Sequence, residues 1–368
     1  MNKDAVITIK LQSLTPVWTG NAFGKTEEIK ASSILGSIRW WYEIIYRSLG
    51  KRVCKNKCKL QQNDFIKDLL DDKTVDEALD NQNICPACKL FGCNGWAGKM
   101  KLVVDDSGNK RMRKVEIGAR ENERAKRILD GLIFTNQKYL KLLIYPVKEL
   151  EPKEIELLRI VLKIISENAA IGGRTAQGNG VVKLIPEGDR RKNNIKLVVK
   201  EELGNKEYPA LDNVFFLKLH LKFDETIDSI IRNNCFWTGN STESSDWEYN
   251  WRQYGFIPIG FHIRDTIRRI KKDVKSRHEL FGQRNEGGSK IFVSHGYKID
   301  ETTAEVRIWG YSEKNRIKEL VSEISEKLTS GEDLKNNLFS KEYSKNLTVS
   351  INGSSNGLET FDEYLKEV

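Results

Sequence analysis

Apolar and polar positions in the first half of the chain repeat with two different periods. Alternation with a period of two, typical of half-buried strands, begins within the first ten residues and returns near Val103, at 140–145 and at 181–185. A period of three to four residues, typical of amphipathic helices, runs through 34–49 and 152–168. This half therefore predicts the order β-α-β-β-α-β, which is the ferredoxin-like motif.

The second half shows the same kinds of segment in the same order. Alternating apolar residues predict strands at 214–223, 305–310 and 347–351. Helical stripes are found at 259–274 and 317–328. After the second stripe this half has no counterpart of the glycine-rich segment described below, so a site built on that segment occurs once per chain.

Short sequence matches indicate that the two halves are repeats. Trp18-Thr19-Gly20-Asn21 recurs as Trp237-Thr238-Gly239-Asn240, and Leu90-Phe91-Gly92 recurs in the same order as Leu280-Phe281-Gly282. Internal similarity of this kind is the signature of duplicated structural units. We expect an α+β protein made of two tandem ferredoxin-like (βαββαβ, RRM-like) domains.

The repeat also suggests domain boundaries. Residues 1–185 form the predicted N-terminal domain, residues 211–368 form the C-terminal domain, and the polar segment 186–210 links them. The N-terminal half is longer because it contains an insertion at about 51–88, and most of the cysteines of the chain lie in or beside this insertion.

Four of these cysteines are arranged as two short-spaced pairs. Cys54 and Cys58 form the first pair, and Cys85-Pro-Ala-Cys88 forms the second. Two such pairs separated by a longer segment are typical of a tetrahedral structural zinc site. The alternatives are unliganded thiols, or a site in which Cys93 replaces one of the four ligands.

The segment 171–184 is the most distinctive in the chain. Gly172, Gly173, Gly178 and Gly180 lie within nine residues, between a predicted helix and a predicted strand. Glycine permits positive φ angles and close approach of the backbone to a ligand. The segment therefore predicts a loop whose amides hold a phosphate chain, although a plain helix-to-strand connection is the alternative.

Composition favours a polyanionic partner. The chain has 368 residues, a formal net charge of +9 and 31% charged residues, and a basic balance more often accompanies a polyanion. The sequence contains no apolar run long enough for a transmembrane helix. It also lacks the apolar core of a signal peptide, so we expect a cytoplasmic protein with reduced cysteines and no membrane partner.

Residues that could assemble a catalytic site are scarce. All four histidines lie in the second half, away from the glycine-rich segment. A metal-independent ribonuclease could still use a single histidine, such as His220 or His295, as its general base. Trp40, on the polar side of its helix, could stack a base or dock a neighbouring protein.

Several motifs resemble those of the RAMP superfamily of CRISPR effector proteins, and more narrowly the family of first subunits of the type III-B Cmr complex. They are Thr15-Pro16-Val17-Trp18-Thr19-Gly20, Leu35-Gly36-Ser37-Ile38-Arg39-Trp40-Trp41 and the run from Cys85 to Trp96. The resemblance covers most of residues 1–185. It implies a non-catalytic subunit that binds guide and target RNA in antiviral defence, caps the effector filament near the 3′ end of the guide RNA, and contacts other RAMP subunits.

These considerations predict a set of RNA contacts. The glycine-rich segment contributes Gly172, Gly173, Arg174, Gln177, Gly178 and Asn179. The predicted surface is extended by Arg39, Trp40, Arg47, Arg120 and Arg124. Two other functions are compatible with the sequence: an endoribonuclease that processes CRISPR RNA, and a protein-interaction module that docks neighbours through Trp40 and Trp96.

Overall fold

The structure of this chain is a computed structural model that describes residues 6–55, 58–117, 127–135, 137–186, 208–236, 244–283, 286–339 and 345–367. It is a mixture of helices and sheets. We refer to the described residues up to 186 as the first unit and to those from 208 onward as the second unit. Among the described helices, none combines the length and the apolar character needed to cross a membrane.

The strands are β1 (Ile7–Ser13), β2 (Met100–Asp105), β3 (Lys110–Arg111), β4 (Val115–Ile117), β5 (Arg127–Leu129), β6 (Leu132–Ile133), β7 (Leu140–Pro146), β8 (Val182–Ile185), β9 (Val214–Phe223), β10 (Phe256–Ile257), β11 (Ile291–Val293), β12 (Gly296–Lys298), β13 (Thr303–Tyr311) and β14 (Leu347–Asn356). The helices are α1 (Ala31–Ser48), α2 (Gln62–Leu70), α3 (Val75–Asn81), α4 (Pro86–Phe91), α5 (Pro152–Asn168), α6 (Ile227–Arg232), α7 (Ser244–Tyr254), α8 (Gly260–Arg268), α9 (Val274–Phe281), α10 (Lys314–Thr329), α11 (Glu332–Leu338) and α12 (Gly357–Glu367).

The sheet of the first unit has the strand order β2-β7-β1-β8, with every neighbouring pair antiparallel. Leu11 of β1 lies opposite Leu140 of β7 and Leu184 of β8. Because alternate residues of a strand share a face, this register gathers apolar side chains on one side of the sheet. Helices α1 and α5 contribute their own buried residues to the same core.

The sheet of the second unit has the order β10-β12-β13-β9-β14, and β11 also pairs with β13. Its central strand β9 lies between β13 and β14, just as β1 lies between β7 and β8. Phe215, Leu217, Leu219, Leu221 and Phe223 point to one face of the sheet and form its core. The first strand of each unit therefore occupies the same place in its sheet.

The cores of the two units interlock. Met112, Val115 and Leu129, which belong to the first unit by sequence, are buried in the core of the second unit. Conversely, Phe216 and Trp309 of the second unit are buried in the core of the first. The two units are therefore held together by exchanged apolar side chains.

The buried Arg307 adds a polar connection between the units. Its Nη1 donates to the carbonyl oxygens of Ile165 at 3.3 Å and Ala169 at 3.1 Å, at the end of α5. Its Nε donates to the hydroxyl of Tyr297 at 3.0 Å. A cation at a helix C-terminus satisfies unpaired carbonyls and complements the helix dipole. The contact thus fixes the point where the glycine-rich segment leaves α5.

The insertion at about 51–88 contains α2 and α3 and ends in α4. Thr74 and Glu77 form a capping box at the start of α3. The buried Lys99 pairs with Asp76 of α3 at 3.1 Å and with Glu154 of α5 at 3.3 Å. The insertion is therefore attached to the body of the first unit by ionic contacts as well as by its cysteines. The predicted linker 186–210 and the repeated motif 237–240 lie mainly outside the described residues.

Candidate functional site

The glycine-rich segment forms a tight loop with a single 3-10 turn at Thr175–Gln177. Gly172, Gly178 and Gly180 have φ angles of 87°, 104° and 90°, a region that glycine adopts without strain. Arg174 is also left-handed, with φ 55°. The loop runs beside the Trp18 loop, since Trp18 and Gly173 form an isolated antiparallel bridge.

The amides of this loop are already engaged within the protein. The N–H of Gly172 donates to Ser37 Oγ at 3.0 Å, and that of Gly173 donates to the carbonyl of Trp18 at 2.7 Å. The N–H of Gly178 donates to the carbonyl of Thr175 at 3.2 Å. These three N–H groups, which the sequence predicts to hold RNA phosphates, therefore already have acceptors within the protein.

Gly178 connects the loop to the second unit, and Asn179 connects it to the interior of the first unit. The carbonyl of Gly178 accepts hydrogen bonds from Thr15 Oγ1 at 3.1 Å and from the N–H of His295 at 3.1 Å. Asn179 is 1% exposed, and its side chain donates to the carbonyl of Asp130 at 3.1 Å. The side chain of Asn179, which the sequence predicts to contact RNA, is therefore buried and bonded within the first unit.

Two predicted residues of the loop remain accessible. The guanidinium of Arg174 lies 4.2 Å from the centre of the Trp18 ring, a cation–π contact. Burial lowers the pKa of Arg174, yet an arginine remains charged at any working pH. Gln177 is exposed at the tip of the loop.

A cavity of about 410 Å³ lies between the loop, α1 and the second unit. We call it the inter-unit cavity and define it by its lining residues, Ser33, Gly36, Ser37, Trp40, Trp41, Ala170, Gly172, Gly173, Thr175, Phe292 and Trp309. Its walls are mainly aromatic rings and bare backbone, with three hydroxyl groups. None of its lining residues carries an ionisable side chain.

Trp40 lies where the two units meet. Its ring is 4.8 Å from Trp41, 6.4 Å from Phe292 and 6.2 Å from Tyr311. Phe292 stacks on Trp309, with ring centres 5.4 Å apart and planes 10° apart. Trp40 thus makes a contact between the units and also lines the inter-unit cavity.

Arg39 and Arg47 are turned toward the protein. Arg39 donates to Glu43 at 2.7 Å, to the carbonyl of Gly92 at 2.9 Å and to Cys88 Sγ at 3.2 Å. Burial lowers the pKa of Arg39, but the hydrogen bonds to Glu43 and Cys88 raise it above its ordinary value. Arg47 donates to Glu43 and to the carbonyl of Pro209. Both arginines, which the sequence predicts to contact RNA, therefore make their hydrogen bonds within the protein.

The basic segment around residue 120 is described only in part. Arg120 and Arg124 lie outside the described residues. Arg111 pairs with Asp130 at 2.9 Å, and Arg113 pairs with Asp246 at 3.2 Å and lies over the Tyr249 ring. Arg111 therefore makes an ion pair within the first unit, and Arg113 connects the first unit to the second.

The four predicted cysteines come together. The sulfur atoms of Cys54, Cys58, Cys85 and Cys88 all lie within 4.8 Å of one another. Cys54 Sγ is 3.5 Å from both Cys88 Sγ and Cys85 Sγ. Four thiolates around a tetrahedral zinc ion would have edges of about 3.8 Å, from a Zn–S distance of about 2.3 Å. The donor set and its spacing therefore fit a closed metal site, and Cys93 is not part of the group.

Electrostatics at this cluster favour a thiolate. The pKa of Cys88 is lowered to about 4, because its sulfur accepts hydrogen bonds from the Cys85 thiol, the Cys58 amide and Arg39. The pKa of Cys85 is raised, because its thiol is hydrogen-bonded to Cys88 and buried. Metal binding requires deprotonated sulfur, and Arg39 supplies a cation beside it.

The histidines occupy two different environments. His295 is 0% exposed, and burial together with the nearby His262 lowers its pKa to about 3. His295 therefore cannot meet a substrate. The side chain of His220 is 23% exposed, and its Nε2 lies 2.7 Å from Glu305 Oε2 on the sheet of the second unit. In the sequence, His220 is distant from the glycine-rich loop.

The contribution of the second unit to the cavity was missed in the sequence. Phe292 and Trp309 are register partners on β11 and β13, and an aromatic residue in a strand normally indicates a core position. These rings line a cavity only because β11 and β13 lie against α1 in the folded protein. Ser33 carried no distinguishing signal either, and Gly36 was noted only as part of the motif Leu35–Trp41.

Residues 10–183 match the sequence model of the RAMP superfamily, which confirms the resemblance inferred from the motifs. No curated protein matches the chain at a significant level.

Two solved structures are similar along most of the chain. The crystal structure of Cmr1 from Pyrococcus furiosus in its apo form is 10% identical, covers 98% of this chain and 96% of that chain, and has a TM-score of 0.35. The cryo-EM structure of the Type III-B Cmr-beta bound to cognate target RNA is 11% identical, with coverages of 87% and 99% and a TM-score of 0.37. Both TM-scores are below 0.5, so the likeness of this chain to known proteins rests on the superfamily match. Residues 10–183 of this chain are thus similar to the RAMP superfamily.

Proposed function

We propose that this chain is a non-catalytic RNA-binding subunit of a type III-B CRISPR (Cmr) effector complex, built from two tandem ferredoxin-like units. In this proposal it caps the effector filament near the 3′ end of the guide RNA and contacts guide RNA, target RNA and other RAMP subunits. The RAMP match at 10–183 supports the family context. The inter-unit cavity is the observation that carries the RNA-binding role.

The inter-unit cavity suits an unstacked nucleobase. Its volume of about 410 Å³ lies within the usual range of small-molecule sites, roughly 300–1,000 Å³. Proteins recognise single-stranded RNA by stacking bases on aromatic rings, and Trp40 and Phe292 offer partly exposed ring faces here. The hydroxyl groups of Ser33 and Thr175 can bond to the polar edge of a base.

The loop beside the cavity supplies the backbone contact. Arg174 directly precedes Thr175 on the cavity wall, and its stacking on Trp18 holds the guanidinium in place. An arginine fixed in this way can pair with a phosphate through two N–H groups. We therefore assign RNA contact to Arg174, Gln177 and Trp40 rather than to the glycine amides.

The chemistry of the cavity favours binding over cleavage. Metal-independent RNA cleavage needs a general base and a general acid within reach of one phosphate. The lining residues contain no ionisable side chain, and the nearby His295 is fully buried.

We infer that Cys54, Cys58, Cys85 and Cys88 hold a structural zinc ion. Four sulfur ligands leave no open coordination position for a substrate, so such a metal stabilises the fold. Arg39 connects Cys88 to α1, the helix that carries Trp40. A metal at the cluster would therefore help to hold one wall of the inter-unit cavity.

One binding experiment tests the proposed function. Fluorescein-labelled single-stranded RNA is titrated with the purified full chain and followed by anisotropy, and the RNA is then recovered on a denaturing gel. We expect saturable binding and full-length RNA. Absence of binding would contradict the RNA-binding role, and shortened RNA that depends on His220 would support the endoribonuclease instead.

A further inference from the structure

The second sheet has a face that the first unit covers only at one end. Phe216 and Trp309 lie at the covered end, where they join the core of the first unit. Further along β9, Lys218, His220 and Lys222 point to the same face, because they alternate with the core residues of that strand. Lys222 is exposed, and Lys218 and His220 are half-buried.

Neighbouring strands add hydroxyl groups to this face. Register pairs place Ser350 of β14 beside His220, and Thr348 beside Lys222. Both Ser350 and Thr348 are exposed. We call Lys218, His220, Lys222, Thr348 and Ser350 the open sheet face.

The two lysines of the open sheet face have no ion pair among the described residues, and the carboxylate on this face, Glu305, lies beside His220 in the register of β13 and β9. Many other cations of the second unit do have a carboxylate partner. Examples are Arg252 with Asp228 at 2.6 Å and Lys271 with Glu323 at 2.6 Å. His220 is held by Glu305 at 2.7 Å, and Glu305 also accepts from the Tyr297 hydroxyl.

The spacing of the two lysines favours an elongated anion. A strand rises about 3.4 Å per residue, so Lys218 and Lys222 are roughly 13 Å apart along β9. One phosphate group cannot bridge that distance, whereas successive phosphates of a nucleic acid strand can. Protein interfaces normally centre on apolar side chains, and no large exposed apolar residue lies on the described strands β9, β13 or β14.

We propose that the open sheet face is a second RNA-binding site, which holds the sugar–phosphate backbone of a single strand through Lys218 and Lys222. The hydroxyl groups of Thr348 and Ser350 bond to sugar or phosphate oxygens between them. This inference rests on the proposed function and extends the RNA path from the inter-unit cavity onto the second unit.

The salt dependence of RNA binding tests this site. Each phosphate neutralised on a single strand contributes about 0.7 to the slope of log K against log salt concentration. The double variant Lys218→Ala/Lys222→Ala should therefore lower the magnitude of the slope by about 1.4. The control is Lys101→Ala/Lys183→Ala, which removes the same charge from exposed strand residues of the first sheet and should leave the slope nearly unchanged.

The possible outcomes separate this inference from the proposed function. If wild-type protein does not bind RNA, the proposed function itself fails. If wild type binds RNA but both double variants keep its slope, or both lower it equally, the second site alone is refuted. If Lys218→Ala/Lys222→Ala binds RNA normally but no longer assembles with other RAMP subunits, the face is a protein interface and the proposal is overturned. Thermal unfolding of each variant checks that the sheet is intact.

Discussion

Filling the inter-unit cavity from Gly36 should abolish its contribution to RNA binding without harming the fold. Gly36 lies in the middle of α1 and is exposed, and a Cβ built there meets no other atom within 4 Å. Residues four apart on a helix are neighbours, so a leucine at position 36 would cover the ring of Trp40. Gly36→Leu therefore blocks the cavity, whereas Gly36→Ala leaves most of it open.

The expected magnitudes differ for stability and for binding. Replacing a helical glycine stabilises the helix by about 1 kcal/mol, so both variants should unfold at temperatures equal to or above that of wild type. Stacking of one base on an aromatic side chain contributes about 1–3 kcal/mol. Loss of that stacking should weaken RNA binding by about 5- to 150-fold in Gly36→Leu, and Gly36→Ala should stay close to wild type.

Anisotropy titrations of the three proteins with one labelled RNA, beside thermal unfolding, measure both quantities. Equal affinity of Gly36→Leu and Gly36→Ala would refute the role of the cavity. Equal loss in both variants would show that the helix, and not the cavity, is sensitive to substitution.

Three further predictions concern the metal cluster and the junction between the units. Protein purified without chelator should contain about one zinc ion per chain, and its removal should lower the unfolding temperature; absence of zinc would contradict the assignment of the four-cysteine cluster. Gly178→Ala should destabilise the protein by about 2–5 kcal/mol in urea unfolding, because its φ is 104° and an added Cβ would lie 2.6 Å from the His295 ring. The control Gly24→Ala has a positive φ but open space around it, and an equal loss there would show that backbone strain alone matters. Burial lowers the pKa of His295 to about 3. Below about pH 6.5, this imidazole therefore binds a proton in the unfolded chain but stays neutral in the folded chain. The free energy of unfolding should therefore fall by up to about 1.4 kcal/mol per pH unit between about pH 6.5 and about pH 3, and an unchanged slope in His295→Asn would disprove this origin.

Much of the fold could be predicted because its signals are local. The helix α5 begins at Pro152 and ends at Asn168 as the periodicity indicates, and β9 spans the predicted 214–223. The interlocked cores could not be predicted in this way. The burial of Met112 in the second unit depends on long-range packing, which leaves no periodic trace in the sequence.

The same contrast applies to the candidate site. The cysteine cluster was predicted correctly because the spacing within each pair is itself a local constraint. The internal hydrogen bonds of the loop amides could not be predicted, because their acceptors, Ser37 Oγ and the Trp18 carbonyl, come from distant segments. A further example is a pair of arginines at matching positions of the two halves, in Ile38-Arg39 and Ile263-Arg264. They donate to the carbonyls of Gly92 and Phe281, which belong to the two Leu-Phe-Gly motifs. Their repetition therefore accompanies a hydrogen bond that both units share.

Ultraviolet cross-linking of bound single-stranded RNA to the full chain, followed by mass spectrometry of the peptides, tests the central claim most directly. The proposed function predicts cross-linked nucleotides on the peptides that carry Trp40 and Thr175, the two walls of the inter-unit cavity, and their loss in Gly36→Leu. Cross-links confined to other peptides, with none at Trp40 or Thr175, would contradict the claim that this cavity receives RNA.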